Sequence, residues 1–144
     1  MRKDNGKENA TVENWVFDTS AVLTLVLDEP GADTVTSLTT STTNLIYVSF
    51  ITNYEVHYKF LRNFGESSAD NVLKLLLSQR WITDYDVDLA MIKVASSFKA
   101  QYRISVADSW IAALAFNRHA TLVHKDPEFE ALKDQIDLLS LPYK

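Results

Sequence analysis

Three large apolar residues, Trp15, Val16 and Phe17, run directly into Asp18, Thr19 and Ser20. The pattern predicts a buried first strand ending in Asp18, with Thr19 or Ser20 capping the helix that follows. Val22, Leu23, Leu25, Val26 and Leu27 suit a buried helix, and Asp28-Glu29-Pro30-Gly31 stops it, because proline and glycine end helical patterns. The Ser/Thr-rich stretch 32–43 keeps helical spacing at Val35 and Leu38, but its β-branched residues lower the propensity, so a weak helix with an irregular end is expected. Leu45-Ile46-Tyr47-Val48 reads as a second strand. Ser49 is placed to cap a helix from Phe50 to about Asn63, which Gly65 ends. Phe50, Tyr54, Tyr58 and Leu61 recur at helical spacing and are read as a core stripe, with a partner surface as the alternative.

Further along, Ser67 is expected to open a helix buried through Val72, Leu73, Leu75, Leu76 and Leu77. Trp81-Ile82 reads as a short extended segment. Asp86 or Asp88 then starts a helix through Leu89, Ile92, Val94, Ala95 and Phe98 to about Tyr102. Ser105 opens the next, with Ala107, Ile111, Ala112, Leu114 and Ala115 as its apolar positions. Thr121-Leu122-Val123 is a short strand, Pro127 is well placed to start a short helix through Phe129 and Leu132, and the run 138–141 is a last strand. Short apolar runs alternating with amphipathic helices indicate an α/β fold, a largely parallel sheet of four or five strands with helices on both faces.

Composition narrows the function classes. A chain of 144 residues with 47% hydrophobic and 23% charged residues suits one ordinary globular domain. The polar stretch 1–14 is read as a flexible leader and 15–144 as the domain. There is no cysteine, which excludes disulfides, thiolate zinc sites, iron–sulfur clusters and cysteine nucleophiles. No apolar run approaches the ~20 residues that span a bilayer, and no signal peptide opens the chain, so a cytoplasmic location is expected. The net charge of −5 falls wholly on residues 15–144, since the leader carries three basic and three acidic residues. A nucleic-acid binder is more usually basic, so either the partner is not a polyanion or acids are clustered for a purpose such as metal binding, where the cation reverses the local sign.

Four acids fall where such a cluster can form. Asp18 follows the first strand, Glu55 lies near the start of the helix after the second, Asp108 sits in the first turn of the Ser105 helix, and Asp126 follows the Thr121 strand. In a parallel sheet, strand carboxyl ends and the helix starts after them share one edge, the usual ligand edge of open α/β sheets. Ionised carboxylates gathered there raise each other's pKa, and a hard divalent cation such as Mg²⁺ is the usual compensation, suited to phosphodiester hydrolysis. A plainer reading stands beside it: Thr52…Glu55, Ser67…Asp70 and Ser105…Asp108 all match the capping-box pattern. Ala112 and Ala115 follow Asp108 on its side of the helix, which leaves space beside the carboxylate. His57, His119 and His124 form no zinc-protease motif; three glycines leave no room for a phosphate-binding loop, and no nucleophile elbow is present.

These residues resemble a known family. Phe17-Asp18-Thr19-Ser20-Ala21-Val22-Leu23 resembles the opening of PIN-domain ribonucleases, particularly the small VapC-like toxins of toxin–antitoxin pairs. Val48-Ser49 followed by Glu55 is similar to the second motif, the run 105–113 to the third, and the run 121–129 to the last. The resemblance implies a metal-dependent endoribonuclease in which Asp18, Glu55, Asp108 and Asp126 bind one or two Mg²⁺ or Mn²⁺ ions and Thr19 or Ser20 supports Asp18 or a metal-bound water. It also implies an antitoxin partner and a homodimer. Lys125, Arg118 and Arg62 are candidate contacts to RNA phosphates, with Lys59 and Arg103 behind them. His124-Lys125 departs from the family's more common Thr-Arg, and His124 is expected to face solvent, with a hydrogen bond to a phosphate or protonation of a leaving group as the alternative. The alternative is a PIN-like module that binds proteins and cleaves weakly or not at all.

Overall fold

The computed structural model describes residues 11–143, so most of the expected leader lies outside the described residues. The elements run β1 (Glu13–Phe17), α1 (Thr19–Val26), α2 (Ala32–Thr40), β2 (Asn44–Ser49), α3 (Phe50–Phe64), α4 (Glu66–Leu77), β3 (Ile82–Asp84), α5 (Leu89–Gln101), α6 (Val106–Asn117), β4 (Thr121–His124), a 3-10 helix (Pro127–Leu132) and β5 (Leu138–Ser140). Strand β1 thus starts two residues before Trp15, with Glu13 and Asn14 already paired to β2.

All strand pairs are parallel, in the order β3-β2-β1-β4-β5. The chain winds outward from β1 to β3, then returns through α5 and α6 to β4 on the other side of β1. Right-handed crossovers in both directions put the two helix sets on opposite faces. Side-chain alternation along the strands supplies both layers. Val16, Tyr47 and Leu122 join the core under α5, α6 and the 3-10 helix. Phe17, Ile46, Val48 and Val123 join the core under α1, α2 and α4. Order reverses between β1 and β4, and such a switch point opens a crevice at the strand carboxyl ends. Asp18 and Asp126 follow the two strands that flank it.

Several sequence expectations change. The stripe on α3 is not core: Tyr54 is 65% and Leu61 45% exposed, while the buried residues are Thr52, Asn53 and Val56. Tyr54 pairs with the half-buried Tyr58 ring, and Phe50 with Trp110. On α4 only one residue of the terminal leucine run is inside, since Leu76 is 5% exposed against 50% for Leu75 and 54% for Leu77. Leu89 and Ile92 of α5 likewise face outward, and Met91, Ala95 and Phe98 do the packing. Gly65, not Ser67, stands at the N-cap of α4.

The leucine run gives a direct check. Leu76→Ala removes a buried side chain and is expected to cost about 2–5 kcal/mol in urea unfolding. Leu75→Ala and Leu77→Ala, half exposed, are expected to stay near 0.5 kcal/mol or below. Equal losses at all three positions contradict the burial pattern.

Candidate metal centre

Asp18 ends β1 and is itself the N-cap of α1, so neither Thr19 nor Ser20 fills that role. Its carboxylate accepts from the Ala21 amide at 2.7 Å and from the Ser20 hydroxyl, which lies 2.7 Å from both oxygens. Ser20 Oγ in turn accepts from the Lys125 amide at 2.8 Å. One hydroxyl therefore ties the end of β1 to the segment that carries Asp126, across the switch point. Thr19 supports a different acid: its hydroxyl donates to Glu55 Oε1 at 2.6 Å. Of the two hydroxyls offered by the sequence as support for Asp18 or its water, Ser20 bonds Asp18 and Thr19 bonds Glu55.

Asp108 sits in the first turn of α6, where its amide donates to the Ser105 hydroxyl. Of the three capping-box matches, this is the one that starts a helix. Thr52 and Ser67 lie inside α3 and α4, and Asp70 pairs with His57 Nε2 at 3.0 Å. Ala112 and Ala115, on the same helix, are buried in the core with Ile111 and Leu114. Asp126 accepts from the Glu128 amide at 2.9 Å at the start of the 3-10 helix.

Carboxylate oxygens of Asp108, Asp126 and Glu128 lie within 4.8 Å of one another. Glu128 was not singled out from sequence. Its signal was there: Pro127 fixes the first turn of a short helix and brings positions 126 and 128 to one edge. Asp18 and Glu55 stand outside that trio but within electrostatic reach. The Asp18 carboxyl, 3% exposed, is pushed up to about 7, chiefly by burial and further by Asp108 and Asp126, against the pull of Ser20 and Ala21. The Asp108 carboxyl is also raised to about 7, first by burial, then by Asp126, Glu55 and Glu128, while Ser105 lowers it. Asp108 and Asp126 thus act on Asp18, and Asp126, Glu55 and Glu128 act on Asp108, at one edge. The donors are all carboxylate oxygens with excess negative charge, which fits a hard divalent cation such as Mg²⁺ or Mn²⁺.

The basic candidates divide. Arg62 lies exposed, two turns beyond Glu55 on the same side of α3, with its guanidinium over the Tyr58 ring. Arg118 is committed elsewhere, 2.9 Å from Asp84 and stacked over Tyr47. The Lys125 side chain is 7% exposed and 3.5 Å from Glu29. His124, expected to face solvent, is fully buried against Phe129. Neither ring nitrogen has a hydrogen-bond partner of good geometry, and burial holds its pKa below the usual range despite the Asp126 backbone and Glu130. A buried neutral ring takes no part in phosphate contact.

A family model for the PIN domain matches residues 15–135. No curated protein sequence matches the chain. Among solved structures, VapBC2 of Rickettsia felis bound to a promoter DNA fragment aligns with a TM-score of 0.73 at 18% identity, covering 90% of this chain and 99% of that one. DNA-bound VapBC of Salmonella typhimurium gives 0.71 at 20% identity, covering 89% and 98%. VapC20 of Mycobacterium tuberculosis, a sarcin–ricin loop cleaving toxin, gives 0.64 at 19% identity, covering 81% and 93%. At these identities the likeness is one of fold.

The raised acids make stability depend on pH in a definite direction. Folded Asp18 and Asp108 keep their protons up to about 7, whereas unfolded aspartates release them near 4. Between those values the folded state binds more protons, so stability is full below about pH 4 and falls as pH rises to about 7. Without divalent metal, wild type is expected to lose on the order of a few kcal/mol over that range relative to Asp18→Asn. Mg²⁺ or Mn²⁺ is expected to restore wild type at pH 8 and to leave the variant nearly unchanged. Parallel pH profiles by thermal unfolding contradict the burial and coupling described.

Proposed function

The chain belongs to the PIN-domain family, and on that premise we propose that it is a metal-dependent endoribonuclease, the toxin of a toxin–antitoxin pair. One observation carries the reading: Asp18, Glu55, Asp108 and Asp126 come from four separate elements to one sheet edge, where burial first and neighbouring carboxylates second raise the Asp18 and Asp108 carboxyls. The fold likeness to VapBC proteins supports the toxin assignment, and the sarcin–ricin loop cleaving activity of VapC20 supports RNA as substrate.

Asp108, Asp126 and Glu128 would hold one Mg²⁺ or Mn²⁺ ion, with Asp18 and Glu55 available to it or to a second. Bound there, the cation supplies Lewis-acid stabilisation of charge developing on a phosphodiester. The chain's own residues set the geometry. Ser20 and the Ala21 amide fix both oxygens of Asp18, and Thr19 fixes the Glu55 rotamer from the neighbouring helix. In the free protein near neutral pH, Asp18 and Asp108 share the site partly protonated and release those protons as the cation binds. Arg62 is positioned for a phosphate farther along the strand; Lys125 and Arg118 are not, because their charges are already paired.

Partners follow from the outward face. Tyr54, Leu61, Phe64, Leu75 and Leu77 expose large apolar surface along the α3–α4 hairpin, which supports an antitoxin and a second copy of the chain as occupants of that side. No described helix is long and apolar enough to cross a membrane, and an RNA-cleaving toxin of this kind acts in the cytoplasm. The same apolar face also favours the second reading, a protein-binding module that cleaves weakly, and the acid cluster speaks against it.

Incubation of RNA with purified protein is expected to give Mg²⁺-dependent cleavage that EDTA abolishes. Asp18→Asn keeps the cap geometry and is expected to remove activity. Thr19→Val, which frees Glu55, is expected to cost about 10- to 100-fold, the usual effect of losing a partner that orients a ligand. Cleavage indifferent to both EDTA and Asp18→Asn contradicts the metal site. No cleavage by wild type at any metal concentration, with normal folding, favours the binding module.

A further inference from the structure

One row of side chains on α3 is not used by the metal centre. Tyr54, Tyr58 and Arg62 follow one another at four-residue spacing. The Tyr54 and Tyr58 rings pair at 5.5 Å between centroids, and the Arg62 guanidinium lies over the Tyr58 ring at 5.7 Å. Tyr58 is half-buried, whereas Tyr54 and Arg62 are open to solvent. The row begins at the acid cluster. Tyr54 directly precedes Glu55, and helical side chains lean toward the N-terminus, which in α3 is the end joined to β2 at the carboxyl edge of the sheet. At about 100° per residue, Tyr58 and Arg62 turn from Tyr54 toward the side of Glu55. His57, Leu61 and Phe64 turn the other way, toward α4, where His57 meets Asp70 at 3.0 Å. The apolar surface of the α3–α4 hairpin and the Tyr54–Arg62 row are therefore two sides of one helix that meet at Tyr54. Charge agrees with that division. The stretch 56–65 carries Lys59 and Arg62 and no acid, in a chain of net charge −5. An exposed ring followed by a flat cation suits an unpaired base followed by a phosphate.

We propose that the Tyr54 ring is a stacking surface for one unpaired RNA base beside the metal centre, and that Tyr58 holds the Arg62 guanidinium for a phosphate farther along the strand. Duplex RNA keeps its bases stacked on one another and offers none to the ring. Every base has a π-face, so stacking tolerates any sequence. The row thus selects unpaired over paired RNA, not one base over another. Tyr54 and Arg62 lie eight residues apart, about 12 Å along the helix axis. The strand accordingly leaves the acid edge extended along α3. The proposal takes its setting from the ribonuclease reading but names a binding event that needs neither metal nor cleavage.

The test is fluorescence anisotropy on the full chain in EDTA, with a labelled unpaired RNA oligonucleotide and the same oligonucleotide annealed to its complement. The unpaired strand is expected to bind about tenfold tighter than the duplex. Tyr54→Ala is expected to weaken the unpaired strand about tenfold, within the range for one lost base stack, and to leave the duplex unchanged. Tyr54→Phe keeps the ring and is expected to bind as wild type does. Leu61→Ala, equally open but on the α4 side, is expected to change neither. Salt separates the two ends of the row. Arg62→Ala is expected to reduce the slope of log affinity against log salt by about 0.7, the share of one phosphate on a single strand, whereas Tyr54→Ala keeps the slope. Circular dichroism and sedimentation check the fold and oligomeric state of each variant. Wild-type affinity in Tyr54→Ala, an equal loss in Tyr54→Phe, equal affinity for the duplex, or no binding up to millimolar concentrations overturns the proposal. A Tyr54→Ala variant altered only in oligomeric state assigns the ring to a protein interface and overturns it as well. Selective binding of the unpaired strand without Mg²⁺-dependent cleavage overturns the ribonuclease reading alone.

Discussion

Like charges held close in a poorly solvated place are the constraint on which the rest of this molecule turns. Asp18, Glu55, Asp108 and Asp126 come from β1, α3, α6 and the turn after β4, and every one of those elements is fixed by an apolar core that the acids do not share. The two-sided core supplies the rigidity. Phe17 and Val16, buried on opposite faces of β1, hold Asp18 at the end of a strand that cannot retreat. Ile111 and Leu114 fasten α6 so that Asp108 stays in its first turn beside Asp126. Without such anchoring, the acids would separate into water and return to ordinary protonation.

Small hydroxyls refine what the core imposes. Ser20 grips both oxygens of Asp18 and takes the Lys125 amide, so a single side chain sets the distance across the reversal in strand order. Thr19, one residue earlier, points to Glu55 on α3. Adjacent residues at a helix start diverge by about 100°, which is why two hydroxyls in sequence serve two different acids. The cost is borne locally, as carboxyls that hold protons far above their usual range. Carboxyls raised so far by burial and by neighbouring carboxylates in a crevice are an expected signature of function.

How much of this was legible in the residues follows from what each signal measures. Apolar runs bounded by turn residues located all five strands and most helices, because a doubly covered parallel sheet writes its strands as continuous apolar runs. The acids were legible because strand ends and helix starts share an edge whatever the packing. Face assignments were less secure. On α3 the aromatic stripe had the right period but not the innermost direction, since Thr52, Asn53 and Val56 are the buried residues and Tyr54 and Leu61 stand exposed. Periodicity gives the angle between apolar residues, not which neighbour they meet. His124 was misplaced because a polar side chain at the end of a strand reads as exposed, whereas Phe129 folds back over it. Lys125 and Arg118 looked like free cations because their partners, Glu29 and Asp84, lie far away in sequence. Glu128 was hidden by its nearness to Asp126: a second acid two residues on reads as surface charge until Pro127 bends the chain.

The account stands on Asp18 and Asp108 belonging to one electrostatic unit that a divalent cation satisfies. The most direct measurement is a ¹³C NMR titration of the aspartate carboxyl carbons, with and without saturating Mg²⁺. The prediction is that Asp18 and Asp108 titrate near 7 in the free protein, and that Mg²⁺ holds both ionised to well below that pH. Titration of both near 4, unchanged by Mg²⁺, contradicts it.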